Sequence, residues 1–155
     1  MRYTIRRMTV EDVENVYSIE TRGHIAPWSK KIIRDCVLVG YGCFVILRRK
    51  KIWGFMIARS SLGNCHLLNL CIDPDYQGKG CGEALLLYLI DFINPHCHTL
   101  SLEVRPSNIP AQKLYEKHHF KKTSEKKDYY TDPDGSHEDA IVLSLDLTKK
   151  HKKKK

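Results

Sequence analysis

Gln77-Gly78-Lys79-Gly80-Cys81-Gly82 is the stretch whose residue types and spacing most directly suit chemistry. Glycines in alternate positions let a backbone bend tightly and approach a ligand without Cβ clashes. Successive amides then face one concavity at the positive end of whatever helix follows, an arrangement that binds phosphate. Lys79 adds a positive charge. The spacing is neither the Gly-x-Gly-x-x-Gly of a dinucleotide fold nor a Walker loop, which needs a Lys-Ser/Thr pair. On spacing alone, a pyrophosphate site and a plain left-handed turn are both open readings.

The remaining reactive side chains narrow the classes. Six cysteines stand at positions 36, 43, 65, 71, 81 and 97, with no Cys-x-x-Cys among them. Residues 1–7 lack the apolar core of a secretory signal, and no apolar run nears the roughly 18 residues that cross a bilayer. A cytoplasmic protein with free thiols and no membrane association is the expectation. His96-Cys97-His98 fits no common zinc spacing, and no metal is expected.

The sequence carries a net charge of +8, but six of its lysines fall between Thr148 and Lys155. Without that tail the body has 20 basic and 18 acidic residues, a net of +2. The basic charge is therefore an appendage, expected to be a disordered, self-repelling tail over residues 148–155. It is either a solvated run or a weak attractor of RNA and ribosomes. At 42% hydrophobic and 28% charged, the rest is ordinary for one folded domain, placed at residues 1–147.

The elements that must position the glycine turn are readable from periodicity. Tyr3 to Arg7 predicts a strand. Thr9, three residues before Asp12, is a helix-start signature, and Val13, Val16, Tyr17 and Glu20 at helical spacing carry a helix to about Arg22. Ser29 can cap a second helix bearing Ile32, Ile33 and Cys36. Tyr41–Leu47 and Ile52–Ala58 read as a hairpin, and Leu67–Ile72 as a strand stopped by Asp73-Pro74-Asp75. After the glycines, Glu83–Ile93 is apolar on most sides through Ala84, Leu85, Leu87, Tyr88, Leu89 and Phe92, which predicts a buried helix. Thr99–Val104 alternates as a strand with Leu100, Leu102 and Val104 on one face. Asn108–Lys117 is helical, with Pro110 tolerated in its first turn. Phe120–Tyr130 and Ala140–Leu147 form a last pair around the Asp132-Pro133-Asp134-Gly135 turn. The order β-α-α-β-β-β-α-β-α-β-β predicts a mixed α/β domain with a mostly antiparallel sheet.

Asp73 through Leu86 resembles the acetyl-CoA motif of the GNAT superfamily of N-acetyltransferases, Gln/Arg-x-x-Gly-x-Gly/Ala. The likeness extends to Arg22–Ser29, Leu102–Asn108, Ala111 with Leu114-Tyr115-Glu116, and Asp128-Tyr129-Tyr130 with Asp134-Gly135 and Glu138–Ala140. In that order and spacing these segments are similar to RimI-type ribosomal-protein-alanine N-acetyltransferases. The resemblance implies the GNAT fold: an α/β (α+β mixed) domain with a twisted, mostly antiparallel sheet of about seven strands, about four helices, and splayed strands at the cofactor site.

It also implies direct transfer of acetyl from acetyl-CoA to an amine in a ternary complex. By match, Glu103 deprotonates the amine and Tyr115 protonates the leaving thiolate, the phenol lying near an alkyl thiol in acidity. An exposed edge-strand glutamate and a core tyrosine are the structural alternatives. Asn69, Leu70 and Cys71 are expected to offer backbone to the acetyl carbonyl and the pantetheine arm. A covalent role for Cys71 is the less favoured rival. Gln77, Gly78, Lys79, Gly80, Cys81 and Gly82 would hold the pyrophosphate, and Asn108 would contact the pantetheine arm while capping its helix. Trp28, Tyr129 and Tyr130 would shape the acceptor groove, with core packing the alternative for Trp28.

Two departures stand out: Gly78 lies where many relatives carry arginine, and His119 lies where the family usually has a glycine suited to a left-handed cap. The acceptor expected from the resemblance is the N-terminal α-amine of a protein, a ribosomal alanine foremost. A small amine or lysine side chain is the second class of acceptor, and a non-catalytic ribosome- or RNA-binding module the third reading.

Overall fold

The computed structural model describes residues 2–149. The expected tail lies outside the described residues from Lys150 onward. Among the described residues, seven strands and four α-helices follow in the predicted order: β1 (Thr4–Arg7), α1 (Val13–Gly23), α2 (Lys30–Leu38), β2 (Gly42–Arg48), β3 (Lys51–Ser61), β4 (Asn64–Ile72), α3 (Cys81–Ile93), β5 (Thr99–Val104), α4 (Ile109–Lys117), β6 (Lys121–Thr131) and β7 (His137–Asp146). The strands form one sheet in the order β1-β2-β3-β4-β5-β7-β6. The pairs β1·β2, β2·β3, β5·β7 and β6·β7 are antiparallel, and β4·β5 is parallel over Asn64–His66 with Thr99–Ser101.

Contacts divide the chain into two compact units, Met1–Arg59 with Leu67–Phe92, and Ser60–His66 with Ile93–Lys155. In the first, α1 turns Val13, Val16 and Ile19 toward Ile33 and Cys36 of α2 and toward Val45, Leu47, Phe55 and Ile57 of β2 and β3. These are the positions at helical and alternating spacing, so hydrophobic burial follows the sequence pattern. Ser29 caps α2 as expected, its hydroxyl accepting from the Ile32 amide at 3.2 Å. The Thr9–Asp12 signature is also real: Asp12 accepts from the Thr9 amide at 2.8 Å and from Arg6 at 2.7 and 2.9 Å. It opens a single 3-10 turn, and α1 proper starts at Val13.

The expectation of a buried third helix holds on one face and fails on the other. Leu85, Leu86, Leu89 and Ile93 are inside, but Leu87 is 41% and Phe92 45% exposed. Phe92 instead joins an aromatic group at the surface, edge-on to Phe44 at 5.2 Å with the Arg7 guanidinium over its ring. A long apolar run carried more hydrophobic surface than one helix face needed.

In the second unit, Leu100, Leu102 and Val104 of β5 and Ala140, Leu143 and Leu145 of β7 are buried. Strand β6 is the edge and carries lysines at 121, 122, 126 and 127, charges that discourage pairing with another chain. Its register with β7 shifts between Lys126 and Tyr130, so four steps on β6 face two on β7. Asp128 sits in the bulge at φ 50°, with its amide bonded to Asp139. Such bulges redirect the side chains that follow, here Tyr129 and Tyr130. At the end of α4, the amides of Phe120 and His119 return to the carbonyls of Tyr115 and Glu116, a Schellman closure with His119 at φ 72°. The left-handed cap is therefore retained with histidine in place of glycine.

Candidate active site

The glycine turn sits at the end of β4, and the residues before it are firmly held. Asp73 receives both arms of the Arg22 guanidinium at 2.8 Å, and its amide bonds to the Trp53 carbonyl at 2.8 Å. The Arg22 hydrogen bonds outweigh burial and hold the Asp73 carboxyl below its ordinary range. Tyr76 then stacks flat on Trp53 at 4.1 Å. Gln77 spans the turn, its amide nitrogen donating to the Ile72 carbonyl at 3.3 Å, and the Tyr3 hydroxyl donates to the Lys79 carbonyl.

Gly78 and Gly80 have φ of 76° and 84°, and a Cβ on either would meet nothing within 4 Å. Their conformation, rather than crowding within the chain, requires glycine there. Helix α3 opens at once from Cys81 and Gly82, with the Ala84 amide bonded to the Gly80 carbonyl. Two left-handed glycines thus stand at a helix N-terminus with Lys79 between them, where the helix end and the lysine are both of positive sign.

Trp28, Asn69 and Cys71 meet around Glu20, a residue the spacing placed on the apolar face of α1 but to which no role was assigned. Glu20 is 1% exposed. Its carboxylate takes the His24 Nδ1 at 2.7 Å and the Trp28 amide at 2.9 Å, and bonds the Asn69 side chain. Burial pushes its pKa up; His24, the Trp28 amide and Asn69 together more than reverse that. Trp28 also packs on the hydrophobic core of its unit, so the packing alternative describes part of its burial.

The Cys71 thiol is buried and pushed up to about 12 by burial and by the nearby Glu20 and Asp73 carboxylates. A thiol so held stays protonated, which argues against the covalent role. Glu20, His24 and Cys71 are the metal-ligand types that cluster among the described residues. Glu20 in this set is already bonded to His24, Trp28 and Asn69. The Asn69 Oδ1 is a buried side-chain oxygen without a partner among the described residues.

Glu103 is not an exposed edge residue. Strand β5 is flanked by β4 and β7, and the Glu103 side chain is 7% exposed. One oxygen takes His66 Nε2 at 2.5 Å, and the other takes Lys126 Nζ at 2.6 Å. Burial would raise its pKa, but the His66 and Lys126 hydrogen bonds outweigh it, so the carboxyl lies below its ordinary value. Neither partner was expected: they are 37 and 23 residues away along the chain.

Lys126 also reaches the Tyr129 ring at 5.1 Å, and Tyr129 meets Tyr130 edge-on at 4.9 Å. Arg105 lies over Tyr130 at 4.3 Å and is fixed by Asp132 and Glu138. Burial, with Tyr129 and Glu103 nearby, holds the Tyr130 phenol well above its ordinary range. Tyr115 is buried beside Phe120, and burial pushes its phenol up to about 12. Tyr115 therefore keeps its proton more firmly than a free phenol does. It remains a hydrogen-bond donor. Asn108 caps α4, its side-chain oxygen accepting from the Ala111 amide at 3.2 Å.

Comparison with known proteins agrees with the fold and the motif. A family model for the acetyltransferase (GNAT) family matches residues 7–120. The [ribosomal protein bS18]-alanine N-acetyltransferase of Escherichia coli K12 is 38% identical over 146 residues, covering 94% of this chain and 98% of its own length. The enzyme of the same name from Haemophilus ducreyi is 35% identical over 144 residues, covering 92% and 99%. The crystal structure of the ribosomal-protein-S18-alanine N-acetyltransferase from Escherichia coli superposes with a TM-score of 0.87 at 37% identity, covering 94% of each chain.

Proposed function

This chain belongs to the GNAT acetyltransferase family, and from that membership we propose that it transfers acetyl from acetyl-CoA to the N-terminal α-amino group of a protein, a ribosomal protein's N-terminal alanine. The buried, ionised Glu103, anchored from both sides, is the observation that carries the chemistry. The choice of acceptor rests on the relatives acting on bS18 alanine.

An α-ammonium with a pKa near 8 loses its proton at neutral pH for about 1 kcal/mol. Glu103 is the acceptor of that proton, directly or through water. Its lowered pKa makes it a conduit rather than a store: the proton must pass on to solvent for the amine to stay neutral. Acetyl-CoA supplies the thioester carbonyl. Tyr115 stabilises the departing sulfur by donating its hydroxyl hydrogen. The backbone of Asn69, Leu70 and Cys71 serves the acetyl and pantetheine groups. Gln77–Gly82 holds the pyrophosphate, and Asn108 both caps α4 and contacts the arm. Trp28, Tyr129 and Tyr130 contribute to acceptor recognition.

No helix among the described residues is long and apolar enough to cross a membrane. We assign the enzyme to the cytoplasm, where its lysine-rich end would add weak, salt-sensitive attraction to ribosomes.

Thiol release from acetyl-CoA tests the proposal with three peptides: one with a free N-terminal alanine, the same peptide blocked, and one with an internal lysine. Turnover with the free alanine alone is expected. Turnover on lysine or small amines instead would move the acceptor class. Absence of acetyl-CoA binding would favour a non-catalytic RNA-binding module.

A further inference from the structure

Glu103 poses a difficulty for any amine substrate, because both of its oxygens are already taken. The two partners differ. His66 stands on β4, whose pairing with β5 sets its distance to Glu103 (His66 opposite Ser101). Its side chain is 30% exposed. Lys126 stands on the edge strand β6, at the start of the bulge, and its side chain is 48% exposed. It is a primary ammonium on a flexible stem, the same head group that an acceptor's N-terminus presents. While bonded to Glu103, its ammonium also lies over the Tyr129 ring, 5.1 Å from the centroid, a contact that does not depend on the carboxylate.

We propose that Lys126 is a resident stand-in for the acceptor: its ammonium keeps Glu103 paired between turnovers, and the acceptor's α-ammonium displaces it from Oε1, leaving it its contact with the Tyr129 ring, while His66 holds Oε2. The proposal rests on Glu103 being the proton acceptor. The exchange explains how a buried carboxylate stays ionised with no substrate bound, since an unpaired buried charge is costly. It also sets a specificity filter. Only a group that is cationic on arrival can replace Lys126 at no net loss of charge pairing. Losing the lysine hydrogen bond also makes Glu103 a better proton acceptor once the amine is in place.

The test is a KM-against-kcat comparison with the free-alanine peptide. Removing the stand-in by Lys126→Met should lower the peptide KM about threefold, the size a half-exposed lysine pair supports. Lys126→Arg keeps a cation on Glu103 and should keep the KM. The peptide lacking its α-amine, used as a competitive inhibitor, should keep its Ki in Lys126→Met, because it brings no cation to exchange. A purely structural lysine gives the opposite sign: a KM unchanged or raised in Lys126→Met would overturn the exchange. Glu103→Gln in the same series separates the two failures. Full turnover there would sink Glu103 as base, whereas loss of turnover with no KM gain in Lys126→Met would sink the stand-in alone.

Discussion

The glycine turn of one unit and the Glu103 cluster of the other are built by opposite means. At the turn the functional atoms are backbone, and the conformation is set by two glycines at φ 76° and 84° within one short segment. At Glu103 the functional atoms are side chains, and the geometry is set by His66, Lys126 and Glu103 on three separate strands. A backbone site needs permission to bend; a side-chain site needs charge balance and burial. The first depends most on the conformation of its glycines, and the second on each partner's charge.

The contrast sharpens most with Glu103→Gln, which keeps the shape but removes the charge and turns one of the two acceptor oxygens into an NH2 donor. Turnover should fall about 10²–10⁴-fold, the range for loss of a general base, while acetyl-CoA affinity stays within twofold. A matching loss of acetyl-CoA affinity would break the division. Next in size is the alkaline limit of stability. The Tyr115 phenol is near 10 unfolded and about 12 folded. The unfolded chain therefore ionises first, and stability present below pH 10 is lost progressively as pH rises toward 12, by up to about 3 kcal/mol. Chemical denaturation of Tyr115→Phe should show that slope reduced by about one proton between pH 10 and 12.

Gly80→Ala tests the backbone side. A left-handed alanine costs about 1–2 kcal/mol, so acetyl-CoA binding measured by calorimetry should weaken by about tenfold, with the peptide KM unchanged. The smallest effect concerns His119, also left-handed. His119→Gly and His119→Ala both delete the imidazole, but only alanine keeps a Cβ at φ 72°. The glycine variant should be the more stable of the two by about 1 kcal/mol in urea unfolding.

The same contrast explains what was legible in the sequence. Alternation in β5, helical spacing in α1 and the Ser29 cap are local patterns, and each element formed where its pattern lay. The glycine turn is local too. The His66–Glu103–Lys126 network is not, because register between strands decides it and a single sequence does not print register. The β6 bulge is hidden for the same reason: its flanking residues read as one uninterrupted strand. Glu20 was in view as a carboxylate on the apolar stripe of α1, a position where burial demands partners. The exposed Leu87 and Phe92 show the reverse limit, since an all-apolar helix does not say which side stays in solvent.

All six cysteines are free and buried. Desolvation holds the thiols of Cys36, Cys43, Cys65, Cys71 and Cys81 above their ordinary values. Disulfide-forming chromogens need a thiolate they can reach, so the folded protein should contribute almost no colour of its own. Coenzyme A released by turnover would then be read against a quiet background. A slow rise toward six equivalents without acceptor would count the molecules that have opened, so one reagent in one cuvette follows both catalysis and the integrity of the catalyst.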